Sequence, residues 1–347
     1  MGVASQPVPD QLADLTTLRL GGPAARLVAV SSARELVDEV RAADATGEPA
    51  LIVGGGSNLV ISDDGWPGVV ILLRTDGIDA GVRDDGTVSV TVQAGTPWDA
   101  FVERTVAEDW SGLAAMSGIP GRTGATPIQN VGAYGSEVAD VITGLNVLDR
   151  ASGSVEQWPP GRCGFGFRTS AFKHTDRYVV VDVTFALRHT PEGSPVRYVE
   201  LARRLDVEPG DTAASARVRD VVLDLRRSKG MLLDADDHDT WSVGSFFVNP
   251  FVEAHEVPDG CPHWSIDGRT KLSAAWLIEK AGFGKGYGLD RTPGRVAVST
   301  KHTLALTNRG GASTAELLDL AREIRAGVQA RFGIRLRPEA HLVGVEL

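Results

Sequence analysis

The chain has 347 residues, of which 42% are hydrophobic and 23% are charged. This length allows two or three domains, and the composition is that of a soluble globular protein, which excludes intrinsically disordered and fibrous classes. With 35 basic against 45 acidic residues, the net charge of −10 argues against a nucleic-acid partner. The 40 glycines and 18 prolines are the one compositional excess, and they indicate many tight turns or close approaches of backbone to a ligand.

The first predicted elements form a β-α-β pattern. Residues 26–30 are predicted as a strand, a capping box at Ser32 opens a helix, and residues 50–53 and 69–73 are further strands. The glycine-rich segment 54–59 therefore has strands on both sides, whereas a Rossmann fingerprint needs its glycines to open a helix. The segment is either a tight connection or a phosphate-binding loop of another kind.

A second unit begins with an alternating strand at residues 87–94 and a helix for which Thr96 is the predicted cap and Pro97 the first helical residue. Residues 119–135 then contain four glycines and show neither a helical nor a strand period. A loop of this length inside a compact domain is usually functional, so we interpret it as a ligand cradle rather than an irregular surface loop. Further strands are predicted at residues 145–149, 155–158 and 178–187.

A helix predicted over residues 217–229 has apolar side chains on one face and basic side chains elsewhere. The basic side chains either form an ordinary solvated face or, in so acidic a chain, meet an anionic substrate. They are Arg217, Arg219, Arg226, Arg227 and Lys229.

The C-terminal third of the chain is predicted to contain a helix over residues 271–280 and two short strands. A capping box at Ser313 opens a long helix that ends at Gly333. Residues 334–345 resemble one or two strands that return to the first sheet. The two short strands are at residues 296–299 and 304–307.

Cys163 and Cys261 lie far apart and lack metal-ligand spacing, so neither a disulfide framework nor a metal site is expected. The first ten residues lack the basic and apolar regions of a signal peptide, and the sequence has no run of 18 apolar residues. We expect a cytoplasmic protein that neither spans nor binds a membrane.

Five sequence blocks follow one another across nearly the whole chain. They are Val53-Gly54-Gly55-Gly56-Ser57-Asn58-Leu59; Ile119-Pro120-Gly121 with Pro127-Ile128-Gln129-Asn130-Val131-Gly132-Ala133-Tyr134-Gly135; Phe165-Gly166-Phe167-Arg168-Thr169-Ser170-Ala171-Phe172-Lys173; Gly244-Ser245-Phe246-Phe247-Val248-Asn249-Pro250; and Leu336-Arg337-Pro338-Glu339-Ala340 with Gly344. In this order and spacing they resemble the UDP-N-acetylenolpyruvoylglucosamine reductase family. The combined match is far more specific than any single glycine motif.

The resemblance implies an α+β protein, in which the two-part FAD-binding fold of vanillyl-alcohol oxidase relatives is joined to a C-terminal α+β substrate-binding domain. The expected FAD-binding parts are residues 12–78, completed by 333–347, and residues 79–215. The substrate-binding domain is expected over residues 229–332. The tyrosine at the end of Pro195-Val196-Arg197-Tyr198 resembles the longer subclass, which folds a tyrosine loop over the substrate.

The resemblance also implies the reaction. NADPH reduces non-covalently bound FAD, and the reduced FAD converts enolpyruvyl-UDP-N-acetylglucosamine into UDP-N-acetylmuramate for peptidoglycan synthesis. Hydride adds to C3 of the enol and a proton to C2. By resemblance Arg168 is the cation at the substrate carboxylate, Glu339 is its protonated partner, and Ser245 donates the proton. A glutamate that donates at neutral pH needs a pKa raised above its usual value.

Glycine has no Cβ, so glycine-rich loops let main-chain N–H groups turn towards a pyrophosphate. For Tyr134 the alternative to a cofactor contact is a role in packing alone.

The expected partners are small molecules alone, and the protein is expected to be a monomer. The predicted cofactor-binding residues are Gly54, Gly55, Gly56, Ser57, Asn58, Leu59, Ile119, Pro120, Gly121, Gly124, Pro127, Gln129, Asn130, Gly132, Ala133 and Tyr134. The predicted substrate-binding residues are Tyr198, Lys229 and Asn249.

The chain departs from the family pattern at two places. Val248 stands where the family has a lysine, so other cations are expected to meet the diphosphate. Phe167 and Thr169 replace a tyrosine and an aspartate beside Arg168, which bears on the orientation of its side chain but not on its charge. The candidates for the diphosphate contact are Arg226, Arg227 and Lys229.

Two other functions remain open. Another FAD oxidoreductase of this fold, such as an alcohol or lactone oxidase, would share the first domain but lack Ser245 and Glu339. A catalytically silent protein that binds flavin or a sugar nucleotide would keep the glycine loops and need none of Arg168, Ser245 and Glu339.

Overall fold

The computed structural model describes residues 11–266 and 268–347. The strands are β1 (Ala24–Val30), β2 (Ala50–Val53), β3 (Leu59–Ile61), β4 (Trp66–Leu73), β5 (Ile78–Val82), β6 (Thr87–Gln93), β7 (Trp110–Ser111), β8 (Gly132–Ala133), β9 (Ser136–Glu137), β10 (Ile142–Asp149), β11 (Ser154–Trp158), β12 (Tyr178–His189), β13 (Phe251–Val252), β14 (His263–Ile266), β15 (Arg269–Leu272), β16 (Val296–Val298), β17 (Leu306–Asn308) and β18 (His341–Val343). The helices are α1 (Ala33–Thr46), α2 (Trp98–Ala107), α3 (Val199–Leu205), α4 (Ser215–Ser228), α5 (Ala274–Lys280) and α6 (Thr314–Phe332).

The chain divides into two compact units. The long-sheet unit comprises Arg26–Gly55 and Gly68–Arg227, and the C-terminal unit comprises Met1–Ala25, Gly56–Pro67 and Ser228–Leu347. The three-domain division expected from the sequence stays a prediction. None of the helices among residues 11–266 and 268–347 is long and apolar enough to cross a membrane.

The long-sheet unit is built on an antiparallel sheet with the strand order β11-β10-β12-β6-β5. The twelve-residue strand β12 is central, and it pairs with β10 on one side and β6 on the other. Alternate residues of β6 are buried, as the predicted strand 87–94 requires. Under this sheet the rings of Phe101 and Phe185 lie 5.3 Å apart, so α2 closes the core from one face.

A second, three-stranded sheet has the order β1-β4-β2, with β2 and β4 parallel. Helix α1 covers it, and the hydroxyl of Ser32 accepts a hydrogen bond from the Glu35 N–H, as the capping prediction requires. The four side chains predicted to face the core are all buried. They are Leu36, Val37, Val40 and Ala43.

The core of the C-terminal unit packs around α6. Ser313 and Glu316 make both bonds of the predicted capping box, and Gly333 ends the helix with a φ of 72°. The carboxylate of Asp63 accepts hydrogen bonds from the N–H groups of Thr314 and Ala315, at 2.8 and 2.9 Å. An acidic group at this end also complements the helix dipole, so both effects fix where α6 begins.

Three details differ from the sequence-based expectations. The predicted helix over 271–280 is split, because Ser273 caps α5 and the residues before it belong to β15. Pro97 lies outside α2 as its N-cap, and the Thr96 hydroxyl bonds to Asp76 instead of capping the helix. The last strand, β18, does not join the first sheet but pairs in parallel with the short strand β3.

Candidate active site

In the long-sheet unit the two predicted glycine loops touch. A Cβ built on Gly55 would lie 2.6 Å from the Cα of Gly121, a distance that real Cβ atoms do not reach. One built on Gly54 would lie 3.3 Å from the side chain of Arg122. The backbones of the two loops therefore approach as closely as only glycine allows. The pyrophosphate contact expected of these loops stays a prediction.

The second loop is docked on the end of β6. The Gly124 N–H donates to the Ala94 carbonyl at 2.9 Å, and the Thr123 N–H donates to Thr96 at 2.9 Å. A Cβ on Gly124 would lie 2.4 Å from the Cβ of Ala94. Gly124 is thus explained by close packing of backbone on the sheet, whether or not it also contacts a cofactor.

The start of the same loop is held by an ion pair. Asp99 of α2 accepts from the Gly118 N–H at 2.5 Å and from both terminal nitrogens of Arg219, at 2.7 and 3.0 Å. Burial raises the pKa of Asp99, but the hydrogen bonds from Arg219 and Gly118 outweigh it, and the pKa lies below its usual value. Asp99 is therefore ionised at neutral pH and fixes the backbone where the loop begins.

We expect Asp99→Asn to lower the free energy of unfolding by about 1–3 kcal/mol at pH 7, because hydrogen bonds to a charged group are lost. Because the pKa of Asp99 is depressed in the folded protein, its contribution is complete above the unfolded pKa of about 3.9 and is lost as pH falls further. Urea unfolding of both proteins from pH 7 to pH 3 measures this. A stability difference that stays constant over that range would contradict the ion-pair explanation.

Helix α4 does not present its basic residues as the sequence suggested. Arg219 and Arg226 are 9% and 8% exposed, because they lie on the same face as the apolar residues of the helix. Burial lowers the pKa of Arg226, and its neighbours include Tyr134 and Asp99. Arg227 is exposed and pairs with Asp224 at 2.5 Å. The buried positions repeat with helical spacing, a signal that is missed when only apolar residues are counted. They are Ser215, Val218, Arg219, Val222, Leu225 and Arg226.

Arg168 is half-buried in a tight turn, with a backbone φ of 52°. Its guanidinium donates to the carbonyl of Gly132 at 2.7 Å, and its own carbonyl accepts from the Lys173 ammonium at 2.8 Å. Left-handed backbone at a non-glycine residue is disfavoured and is often found at functional sites. The structure therefore joins the predicted cation to the predicted cofactor loop.

Tyr134 and Tyr198 are in edge-to-face contact, with ring centroids 5.5 Å apart. Tyr134 belongs to the cofactor loop and has a φ of 51°, and Tyr198 precedes α3 and is 43% exposed. Helix α3 was not predicted from the sequence. The contact brings a predicted cofactor residue together with a predicted substrate residue.

The C-terminal unit brings together Ser245, Glu339 and Asn58. The segment after Ser245 pairs with the segment before Glu339, and the Glu339 N–H donates to the Phe246 carbonyl at 2.8 Å. The side-chain amide of Asn58 donates to the Glu339 carbonyl at 3.4 Å. Phe246 and Phe247 are buried, so Ser245 sits on a segment anchored in the core.

Two predicted substrate residues lie in the same unit. The amide oxygen of Asn249 accepts from the Ala274 N–H at 2.9 Å, which ties it to the start of α5. Lys229 is half-buried just after α4. Of the predicted cofactor residues, Gly56, Ser57, Asn58 and Leu59 belong to this unit, whereas Gly54, Gly55, Ile119, Pro120, Gly121, Gly124, Pro127, Gln129, Asn130, Gly132, Ala133 and Tyr134 belong to the long-sheet unit.

Two protein-family models match the chain. One, described as an FAD binding domain, covers residues 24–158, and the other, described as the C-terminal domain of UDP-N-acetylenolpyruvoylglucosamine reductase, covers residues 236–343. The chain is 54% identical to the UDP-N-acetylenolpyruvoylglucosamine reductase of Salinispora arenicola, over 97% of this chain and 95% of the relative. It belongs to the UDP-N-acetylenolpyruvoylglucosamine reductase family.

Other members of the reductase family agree with this. The enzyme of Thermobifida fusca is 52% identical over 97% of both chains. The crystal structure of the reductase from Thermus caldophilus matches with a TM-score of 0.66 and 25% identity, over 96% of this chain and 97% of that one. These matches confirm the predicted α+β fold class, with an FAD-binding domain followed by the reductase C-terminal domain. FAD as the cofactor is confirmed with them.

Proposed function

We propose that Arg168, Ser245 and Glu339 carry the chemistry of this chain. As a member of the reductase family, the chain catalyses the FAD-dependent reduction of enolpyruvyl-UDP-N-acetylglucosamine in peptidoglycan synthesis. Bound FAD, once reduced by NADPH, supplies the hydride that adds to C3 of the enol. The observation that carries the proposal is the pairing of the segment that bears Ser245 with the segment that bears Glu339.

Hydride addition at C3 breaks the C2–C3 double bond and leaves negative charge at C2, which spreads into the carboxylate. A fixed cation lowers the energy of this enolate most when it is oriented beforehand. The hydrogen bond from Arg168 to the Gly132 carbonyl supplies such orientation, because it fixes the plane of the guanidinium. In the proposed site, Glu339 in its protonated form donates to the same carboxylate.

The Ser245 hydroxyl gives its proton to C2, which completes the addition across the double bond. A hydroxyl is a weak acid in water, so it needs a hydrogen-bond network that takes up the charge of the alkoxide and later returns a proton. The segment that follows Ser245 is anchored by the buried rings of Phe246 and Phe247, and this supports the proposal because proton transfer depends on position.

The substrate contacts are also proposals. We place Tyr198 over the substrate as in the longer subclass, with Lys229 and Asn249 as further contacts. Arg226 is a weaker candidate for the diphosphate than the sequence suggested, because it is 8% exposed on the inner face of α4. Lys229 and the exposed Arg227 remain as cations for that contact.

We further propose a monomer in the cytoplasm that uses NADPH as its reductant. The state of the cysteines supports a reducing compartment: both are unpaired and buried. Burial raises the pKa of Cys163 to about 11, so this thiol stays protonated and unreactive at neutral pH. Light scattering of the purified protein measures the oligomeric state.

The test of the proposed function is a two-step experiment without oxygen. The purified protein is expected to be yellow, NADPH is expected to bleach its flavin, and enolpyruvyl-UDP-N-acetylglucosamine is expected to restore the oxidised spectrum. Addition of UDP-N-acetylglucosamine, which has no enol, is the control and should restore nothing. Failure of the enolpyruvyl substrate to reoxidise the flavin would show that the assignment is wrong.

Arg168→Lys keeps the positive charge but loses the planar group that holds a carboxylate with two hydrogen bonds. We expect reoxidation of the flavin by substrate to slow by roughly 10-fold or more, since one charge-assisted hydrogen bond contributes about 1.5–3 kcal/mol. Reduction by NADPH should stay unchanged. Stopped-flow absorbance of each half-reaction measures both, and a nearly wild-type reoxidation rate would exclude the proposed role.

A further inference from the structure

We propose that Asn130 and Glu137 are positioning residues, which close a ring of contacts that holds Arg168 in its orientation. The inference rests on the proposed role of Arg168 and adds the residues that hold it. Both residues belong to the long-sheet unit, as does Arg168. Neither positioning role was predicted from the sequence. Asn130 was expected to bind the cofactor, and Glu137 had no expected role.

The turn that carries Arg168 is tight. The Gly166 N–H donates to the Thr169 carbonyl at 3.1 Å, and the Thr169 N–H donates back to Gly166 at 3.2 Å. Phe167 and Arg168 therefore occupy its two central positions, and Arg168 has the disfavoured φ of 52°. A turn of this kind does not hold its shape without contacts from outside, because the backbone strain favours other conformations.

Three side-chain bonds join this turn to residues 128–132 of the cofactor loop. The Ser170 hydroxyl donates to the Ile128 carbonyl at 2.6 Å. The Asn130 amide donates to the Gly166 carbonyl at 3.2 Å, and Arg168 donates to Gly132 at 2.7 Å. The loop residues that take part, at positions 128, 130 and 132, are each two residues apart, so the hydrogen bonds are spread along the contact between the two segments.

Asn130 is the middle link and its side chain is used within the protein. It is 1% exposed and has a φ of 45°. Its Nδ2 donates to Glu137 Oε2 at 2.6 Å as well as to Gly166, and its Oδ1 accepts from the Ala139 N–H at 3.1 Å. Both amide hydrogens are thereby used, so the side chain acts as a brace between the two segments.

Glu137 closes the ring from the other side. In the β8–β9 pair Glu137 lies opposite Gly132, whose carbonyl accepts the hydrogen bond from Arg168. A Cβ on Gly132 would lie 2.8 Å from the Glu137 Cγ and 2.6 Å from the Ser136 carbonyl oxygen, so Gly132 is pressed against this strand. The contacts run from Arg168 to Gly132, to Glu137, to Asn130, to Gly166 and back to the turn. Displacing one member displaces the guanidinium.

The residues on either side of Arg168 show why contacts from outside the turn matter in this chain. In this chain Phe167 and Thr169 flank Arg168, so neither neighbouring side chain in the turn carries a charge. Here the ring of Phe167 lies 5.5 Å from the guanidinium carbon of Arg168. Asn130 and Gly132 are among the residues that support the turn through hydrogen bonds from outside it.

The test compares Asn130→Ala and Glu137→Ala with two controls in the FAD-loaded protein. Glu137→Gln keeps an acceptor for Asn130, and Asn146→Ala removes an equivalent amide that donates to Asp182 at 3.0 Å elsewhere in the same unit. We expect Asn130→Ala and Glu137→Ala, the ring variants, to slow substrate-dependent reoxidation of the flavin by roughly 10- to 100-fold, which is the cost of a misplaced group. Reduction by NADPH should be unchanged, and both controls should reoxidise at nearly the wild-type rate.

Two further measurements separate positioning from a loss of stability. Hydrogen exchange should be faster in residues 163–173 of the Asn130→Ala protein and unchanged in Asn146→Ala. In a double-mutant cycle with Arg168→Lys, the effect of Asn130→Ala should largely vanish, because it acts through Arg168. Additive effects, or unchanged exchange, would overturn the proposal. If Asn130→Ala does not fold, Glu137→Ala is judged by the same criteria.

The same series shows which proposal fails. If Arg168→Lys slows reoxidation while the ring variants react at the wild-type rate, the ring is wrong and the role of Arg168 stands. If neither Arg168→Lys nor the ring variants have an effect, the proposed role of Arg168 fails first and the ring fails with it. If substrate fails to reoxidise the flavin of the wild-type protein, the proposed function itself is wrong.

Discussion

Replacing Ser245 by alanine is expected to slow reoxidation of the reduced flavin by substrate at least ~10²-fold, the low end for general acid catalysis. Reduction of the flavin by NADPH should keep its wild-type rate, because the proton is needed only in the second half-reaction. The buried rings of Phe246 and Phe247 hold the segment in either protein, so the fold should not change. Anaerobic stopped-flow absorbance separates the two half-reactions.

The matched control is Ser265→Ala, which removes an exposed hydroxyl from β14 in the same unit. It should leave both half-reactions unchanged. An equal loss in both half-reactions of Ser245→Ala would indicate damage to the fold. A wild-type reoxidation rate in a fully flavin-loaded Ser245→Ala protein would assign the proton to another group.

The second large effect is expected at Gly55. Gly55→Ala places a methyl group 2.6 Å from the Gly121 Cα, and the atoms that must move are backbone on both sides. Forcing an extra methyl into packed structure typically costs about 1–3 kcal/mol, and each 1.4 kcal/mol lost from binding is tenfold in affinity. We expect the FAD dissociation constant to rise about tenfold or more, measured by titrating flavin-free protein with FAD.

Gly81→Ala is the matched control, since a Cβ on Gly81 would meet no atom within 4 Å. It should bind FAD as the wild-type protein does. If Gly55→Ala also keeps the wild-type dissociation constant, the close approach of the two loops does not serve the cofactor. A lower unfolding midpoint with unchanged FAD affinity would assign Gly55 to the fold alone.

Local signals in the sequence were enough for the elements whose ends are set by neighbouring residues. The caps at Ser32 and Ser313 were predicted correctly, because the groups that bond lie three residues apart. Strand β3 was not predicted, because it has only three residues. A strand was expected in the region of β18, but its pairing with β3 was missed, since that pairing joins distant parts of the chain. The end of β15 and the start of α5 were merged because Ser273 was not recognised as a cap.

The site divides in the same way. Sequence blocks indicated Arg168, Ser245 and Glu339 as candidates because a family pattern spans each of them, and their roles stay predictions. The blocks gave no sign that Asn130 braces the turn of Arg168, since irregular loops have no period from which contacts can be read. The inward position of Arg226 was missed because only apolar residues were counted as core positions. Arg226 has the helical spacing of those positions but carries a charge.

The C-terminal unit is assembled from three separate stretches of chain, Met1–Ala25, Gly56–Pro67 and Ser228–Leu347. The ribosome releases the chain from its N-terminus, and domains generally fold as units during synthesis. Chains stalled before residue 339 should therefore already protect the long-sheet unit from protease, while Asn58 and Ser245 still lack the segment that joins them. Because the backbone of Glu339 bonds both to Asn58 and to the segment of Ser245, these contacts form only after residue 339 has been translated.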